Sequence, residues 1–290
     1  DGLNAFFSPD WDQILNGKVW VAAYGQIFFS LSIAFAIMIT YASYLPKKSD
    51  ITNNAFITGF ANSSFELLAG IGVFAALGFM AFSAWTSVVD VVSGGIGLAF
   101  IAFPKLISSL GAGADLFGIL FFSSLFVAGI TSMVSILEVP IAALQDKLKW
   151  SRVKAVSIIG GSAGLVSILL FSTTNAIKLV DIIDHFINNI GIVTGAFISI
   201  ILVSWFKRSL MKDLELHINQ ISTVQLGRTW EITLTIITPA VLLSTLVLTL
   251  LALIQKGYGD YSLSLQIWFG WGSVIFCILG ALLFSKLKDR

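Results

Sequence analysis

The chain has 290 residues, of which 57% are hydrophobic and 11% charged, with 24 phenylalanines and a formal net charge of +1; its mean hydropathy is +0.92. Soluble domains carry about 25% charged residues, so this composition excludes them and points to an all-α polytopic membrane protein. The near-neutral balance, with no basic cluster interleaved among aromatics, argues against nucleic acid as a partner. One cysteine, Cys277, excludes a disulfide framework or cysteine metal site and reads as a small core hydrophobe.

Residues 1–18 are polar and aromatic, without the charged, apolar and small-residue succession of a signal peptide, and read as an extracellular segment. The abrupt start at Asp1 suggests an earlier part outside this sequence. A helix that crosses a bilayer needs about 20 mostly apolar residues. Seven segments qualify: roughly 19–45, 55–85, 117–145, 153–173, 187–205, 229–255 and 264–286.

Cytoplasmic loops hold an excess of Lys and Arg. Thirteen of the seventeen basic residues follow the first, third, fifth and seventh segments: Lys47, Lys48, Lys147, Lys149, Arg152, Lys154, Lys207, Arg208, Lys212, Arg228, Lys286, Lys288 and Arg290. Lys18, Lys105, Lys178 and Lys256 remain for the other side. The amino terminus is therefore expected outside and the carboxyl terminus in the cytoplasm.

Two connections exceed plain turns. Residues 87–116, with Gly94, Gly95, Gly97, Pro104, Gly111 and Gly113 around an apolar stretch, suggest short helices folded down as an extracellular lid. Residues 206–228 carry Leu210, Met211, Leu214 and Leu216 among charges, an amphipathic pattern suited to the membrane interface. The run Gly160-Gly161-Ser162-Ala163-Gly164 lacks the Lys-Ser/Thr of a phosphate loop and reads as close helix packing. His185 and His217 are far apart and near segment ends, which makes a histidine metal or base site a poor reading.

Polar residues at membrane depth must find partners inside the protein. Gln26 and Ser30, four apart, share one face of the first segment and point toward a site. Glu66 follows Asn62 by one turn; a carboxylate there costs at least ~2.5 kcal/mol unless paired, protonated or employed. A structural hydrogen bond, a counter-charge for a cation and a proton carrier all remain open for it. Thr131 and Ser132 follow Gly129, and with the Ala128 carbonyl they either back-bond within the helix or collect neutral oxygens of the kind hard cations prefer. These features imply a transporter or channel. The competing readings are an intramembrane enzyme built on Glu66 and Glu138, and an inactive helix-packing fragment.

Gly25-Gln26-Ile27-Phe28-Phe29-Ser30-Leu31-Ser32, with Ile39-Thr40-Tyr41-Ala42-Ser43-Tyr44, resembles the sixth helix of the neurotransmitter:sodium symporters. The likeness continues through Asn62 and Glu66, Gly94-Gly95, Ala128-Gly129-Ile130-Thr131-Ser132 and Gln145-Asp146-Lys147-Leu148, and is nearest the bacterial amino-acid branch. It implies a leucine-transporter-like inverted-repeat fold at the cell membrane, of which these seven segments resemble helices six to twelve. Residues 19–205 would form the second repeat, 206–228 a cytoplasmic loop and 229–290 the last two helices and tail. The first repeat, helices one to five, would lie before Asp1 and be a partner of every site.

The resemblance implies sodium-coupled symport of an amino acid or related small zwitterion, with Na+ as coupling ion and no other cofactor. It places Ser30, Asn62, Ala128, Thr131 and Ser132 as sodium ligands, and Phe29, Ser30, Ser32, Phe35, Ser132 and Ile136 at the substrate. Asp184 would belong to an extracellular gate, and Tyr44 and Asp146 to a cytoplasmic one. Glu66, beside Gln26, replaces the serine of chloride-dependent relatives and implies chloride independence. Ala34 and Ala36 depart from glycines common in the family, a small cost as long as their φ stays negative.

Overall fold

The computed structural model describes residues 1–91 and 97–287. Gly94, Gly95, Lys288 and Arg290 lie outside the described residues. In chain order the helices are α1 (Gly2–Phe7), α2 (Gly17–Ser30), α3 (Ile37–Ser43), α4 (Ile51–Ala84) and α5 (Val88–Val91). They continue with α6 (Leu98–Ser108), α7 (Ala114–Leu148), α8 (Arg152–Phe171), α9 (Ala176–Phe206), α10 (Arg208–Ile221), α11 (Arg228–Lys256) and α12 (Leu263–Lys286). No strand occurs among the described residues.

Six of these, α4, α7, α8, α9, α11 and α12, are long and apolar enough to cross a membrane, and the chain is a multi-pass membrane protein. The first expected segment is instead two helices, α2 and α3, separated by Leu31–Ala36. Ser32, Ala34 and Ala36 in that break have φ of 50°, 67° and 60°, a left-handed conformation that interrupts helical hydrogen bonding. The condition under which the two alanines would cost little, a negative φ, is thus not met. Each bears the Cβ clash that glycine avoids, about 1 kcal/mol.

The fifth segment starts earlier than its apolar run suggests, at Ala176, because Leu179, Ile182 and Phe186 form a buried stripe at helical spacing despite intervening Lys178, Asp181 and Asp184. The long connections carry the expected short helices α5 and α6 and the amphipathic α10. Cys277, expected in the core, is exposed on α12. In a membrane protein an apolar helix face can meet lipid as well as protein, so hydropathy alone does not assign it.

The chain divides into two compact units. Residues 1–19 and 56–134 form one; residues 20–55 and 135–290 form the other. The first unit packs α4 against α5 and α6 through Leu77, Ala81, Val88 and Leu98. In the second, α9 is the central post. Ile182, Phe186 and Ile190 pack with Val274, Leu246 and Trp271, while Val193, Ala196 and Leu242 form a second cluster that receives Phe28 of α2. Gly270 of α12 is forced by this packing, since a Cβ there would meet the Phe186 ring at 2.7 Å.

Candidate functional site

The second unit contains a cavity of about 210 Å³, lined by Tyr24, Phe28, Phe29 and Phe35 on one side and Asp184, Asn188 and Asn189 on the other. Val193 and, from α11, Leu242 and Thr245 close its wall. Local geometry explains the lining. Phe29, at the end of α2, and Phe35, in the break that follows, reach one space. On α9, a π-helical turn at Ile187–Ile192 widens the register, so the adjacent Asn188 and Asn189 both line the cavity below Asp184. Asn188 Nδ2 donates to Asp184 Oδ1 at 2.7 Å.

Phe29, Phe35 and Asp184 of the expected site are thereby brought together. Ser30 ends α2 half-buried, and Ser32 begins the left-handed turn; neither lines the cavity. Gln26 and Ile136 are exposed on α2 and α7. Tyr24, Asn188, Asn189 and Thr245 were missed. Two consecutive asparagines one turn after an aspartate in an apolar helix were a readable signal for two of them; Tyr24 and Thr245 gave none.

The first unit holds the other expected oxygens. Asn62 Nδ2 donates to Glu66 Oε1 at 3.2 Å, joining the pair suggested by their one-turn spacing. Thr131 Oγ1 donates to the Ala128 carbonyl at 2.9 Å. This is the back-bond anticipated for hydroxyls in membrane helices, and it also sets two of the expected sodium ligands side by side. Ser132 is exposed on the same helix.

A polar cluster anchors α3 to α7 within the second unit. Tyr44 Oη donates to Glu138 Oε1 at 2.9 Å, and Arg152 grips both carboxylate oxygens at 2.9 Å. One turn earlier Tyr41 Oη donates to Ser135 Oγ at 2.8 Å. Glu138 is buried, and the two-pronged guanidinium contact is the geometry that best compensates a carboxylate out of water. Asp146 is exposed, so Tyr44 finds its hydrogen bond at Glu138 instead. With both oxygens committed, Glu138 is a poor catalytic acid.

At the loop between α11 and α12, Tyr258 and Tyr261 donate to the two oxygens of Asp181 at 3.0 and 2.8 Å. Burial, followed by the bond to Asp181, raises the Tyr258 phenol above its usual range; for Tyr261 the bond to Asp181 is the leading cause of the same upward shift. Just before α4, Asp50 accepts from the N–H and Oγ1 of Thr223, in the loop between α10 and α11, and from the N–H of Asn53. Those bonds, the Thr223 amide first, hold its carboxyl at about 2.

The sodium:neurotransmitter symporter family model matches residues 1–287. The chain belongs to the sodium:neurotransmitter symporter family. This symporter-family chain is 37% identical over 288 residues to an uncharacterized sodium-dependent transporter of Methanocaldococcus jannaschii, covering 99% of this chain and 58% of that protein. It is 28% identical over 263 residues to sodium-dependent nutrient amino acid transporter 1 of Drosophila grimshawi, covering 90% of this chain and 41% of the relative. A sodium- and chloride-dependent GABA transporter of Drosophila melanogaster is 31% identical over 216 residues, 71% of this chain and 22% of its own length. The symporter-family chain thus spans less than two thirds of each of these relatives. The family is one of transporters, which sets the enzyme reading aside.

Proposed function

We propose that the chain is the carboxyl-terminal part, helices six to twelve, of a sodium-coupled symporter for an amino acid or related small zwitterion. In this reading α2, the break and α3 cross the bilayer as one discontinuous seventh span. The amino terminus is extracellular and the carboxyl terminus cytoplasmic in the plasma membrane. The observation that carries it is the broken helix beside an aromatic cavity that holds a carboxylate. Irregular backbone at membrane depth is tolerated where it lines such a site, and half-helix ends there face charged ligands.

Ser30, Asn62, Ala128, Thr131 and Ser132 are the proposed sodium ligands; Phe29, Ser30, Ser32, Phe35, Ser132 and Ile136 are the proposed substrate contacts. A desolvated sodium ion and a substrate carboxylate offset each other's cost, which couples the two. Asp184 serves an outer gate. Tyr44 and Asp146 serve an inner one, and the bond of Tyr44 to Glu138, itself held by Arg152, supports a wider inner network.

Glu66, bonded to Asn62 and accompanied by Gln26, supplies the charge that chloride brings elsewhere. The test is uptake of labelled amino acids by proteoliposomes of the full-length protein. Uptake should need sodium and be equal in chloride and gluconate, and Glu66→Ser should make it chloride-responsive. A variant indifferent to the anion would remove the role given to Glu66.

A further inference from the structure

The amides that α9 offers to the cavity are oriented by partners on their own helix. Asn189 Nδ2 donates to the His185 backbone carbonyl at 3.0 Å and lies 3.2 Å from Nδ1 of the His185 ring. A carbonyl only accepts, so the amide nitrogen, not its oxygen, faces His185. Ring Nδ1 beside that NH2 group is then an acceptor, and the ring proton sits on Nε2. Asn189 consequently has its NH2 group turned to α9, leaving Oδ1 as the atom uncommitted at the cavity. With Asp184, whose Oδ1 holds the Asn188 amide, the polar wall is rich in acceptors.

The ring itself is clamped. It stacks on Tyr258 with centroids 3.7 Å apart and planes at 13°, and meets Phe186 edge-on. Tyr258 is fixed by Asp181 and by Gln266, whose Oε1 accepts its N–H at 2.9 Å. The titratable groups on the elements around this segment are Lys178, Asp181 and Asp184 on α9 itself, and Tyr24 and, in the first turn, Lys18 on α2. The loop between α11 and α12 adds Tyr258, Asp260 and Tyr261, and α11 adds Arg228, Glu231 and Lys256. The charged residues of α8 and α12 are Arg152, Lys154 and Lys286, at or next to helix ends. Asp181 is the charge that acts on the ring.

We infer that His185 is a proton-controlled positioning residue for the cavity. Unprotonated, its Nδ1 holds the Asn189 amide against α9. A proton taken from solution onto Nδ1 turns that acceptor into a donor, which faces the NH2 group and expels it. Asn189 then presents a donor to the cavity beside Asp184, and the wall changes from one suited to an ammonium group to one that also receives a carboxylate. The consequence for transport rests on the proposed symport function; the switch itself does not.

The two are tested separately. In the full-length protein reconstituted in nanodiscs, labelled-histidine NMR reads His185 through the signal that disappears in His185→Phe. Asn189→Ala should displace its titration midpoint by about half a pH unit or more, because the variant removes an interaction made with one protonation state only. An unmoved midpoint overturns the inference whether or not the protein transports.

In proteoliposomes, the ratio of sodium-dependent uptake of a labelled amino-acid mixture at about pH 5.5 to that at about pH 7.5 should change by about threefold or more between the parent and His185→Phe, which keeps the aromatic stack without a titrating nitrogen. Asn189→Ala should change it in the same direction. Identical ratios in all three proteins overturn the inference. Absence of uptake at both pH values overturns the symport reading instead and leaves the NMR result to decide the switch.

Discussion

The two halves of the broken helix are held by different forces. α2 is seated by packing: Phe28 enters the Val193, Ala196 and Leu242 cluster, and Phe29 lines the cavity. α3 buries Ile37 at its start and is otherwise tied by discrete polar bonds, Tyr41 to Ser135 and Tyr44 to the Glu138–Arg152 pair. Packing is spread over many weak contacts and yields gradually. Hydrogen bonds to a buried carboxylate are few, directional and lost together.

The largest test of that contrast is Glu138→Ala, which leaves Tyr44 and Arg152 without their acceptor. Sodium-dependent uptake should fall about tenfold or more, the scale expected for losing hydrogen bonds to a charged group. Hydrogen exchange should speed up in Ile37–Ser43 but not in Gly17–Ser30. Glu138→Gln, which keeps an acceptor for Tyr44, should be milder; equal exchange in both halves after either change would abolish the distinction.

The packing side is broken by Gly270→Ala. A methyl there meets the Phe186 ring at 2.7 Å and forces α9 from α12 at a cost of about 1–3 kcal/mol. Thermal unfolding in detergent should show the loss, with exchange in α3 unchanged.

A smaller effect of opposite sign is expected at the break. Ala34→Gly or Ala36→Gly should stabilise by about 0.5–1 kcal/mol where φ is positive, read as a rise in melting temperature. No rise would mean that the left-handed turn is not retained in the membrane.

The smallest concerns Asp50, whose carboxyl lies at about 2. Because its folded value is below the unfolded value of about 3.9, its contribution is complete above that value. It is lost as pH falls from about 4 through about 2. Protection of the Thr223 amide against exchange should decline over that window in the parent and be weak at every pH in Asp50→Ala.

Much of the frame was legible. Six apolar runs became spanning helices because hydrophobicity over about 20 residues has one structural solution in lipid. The amphipathic α10 and the short helices of the long connection were legible from the same patterning. At the site, Asn62 with Glu66 and Thr131 with Ala128 followed from one-turn spacing, a local relation. The partners of Tyr44 did not. Asp146 was named because it belongs to a shared motif, whereas Glu138 and Arg152 flank a helix-to-helix turn and meet Tyr44 only through tertiary packing.

The sequence by itself determined what is local or averaged: membrane residence, helix periods, basic-residue asymmetry, family membership and the polar interruption after Gly25. Tertiary structure alone decided where that interruption becomes a break, and that Ala34 and Ala36 accept a left-handed backbone. It also decided that Phe29, Phe35 and Asp184 share a cavity with Asn188 and Asn189. Those outcomes depend on residues 140 or more positions apart, and no pattern along a chain encodes a distance across it. Packing around α9 fixes that distance.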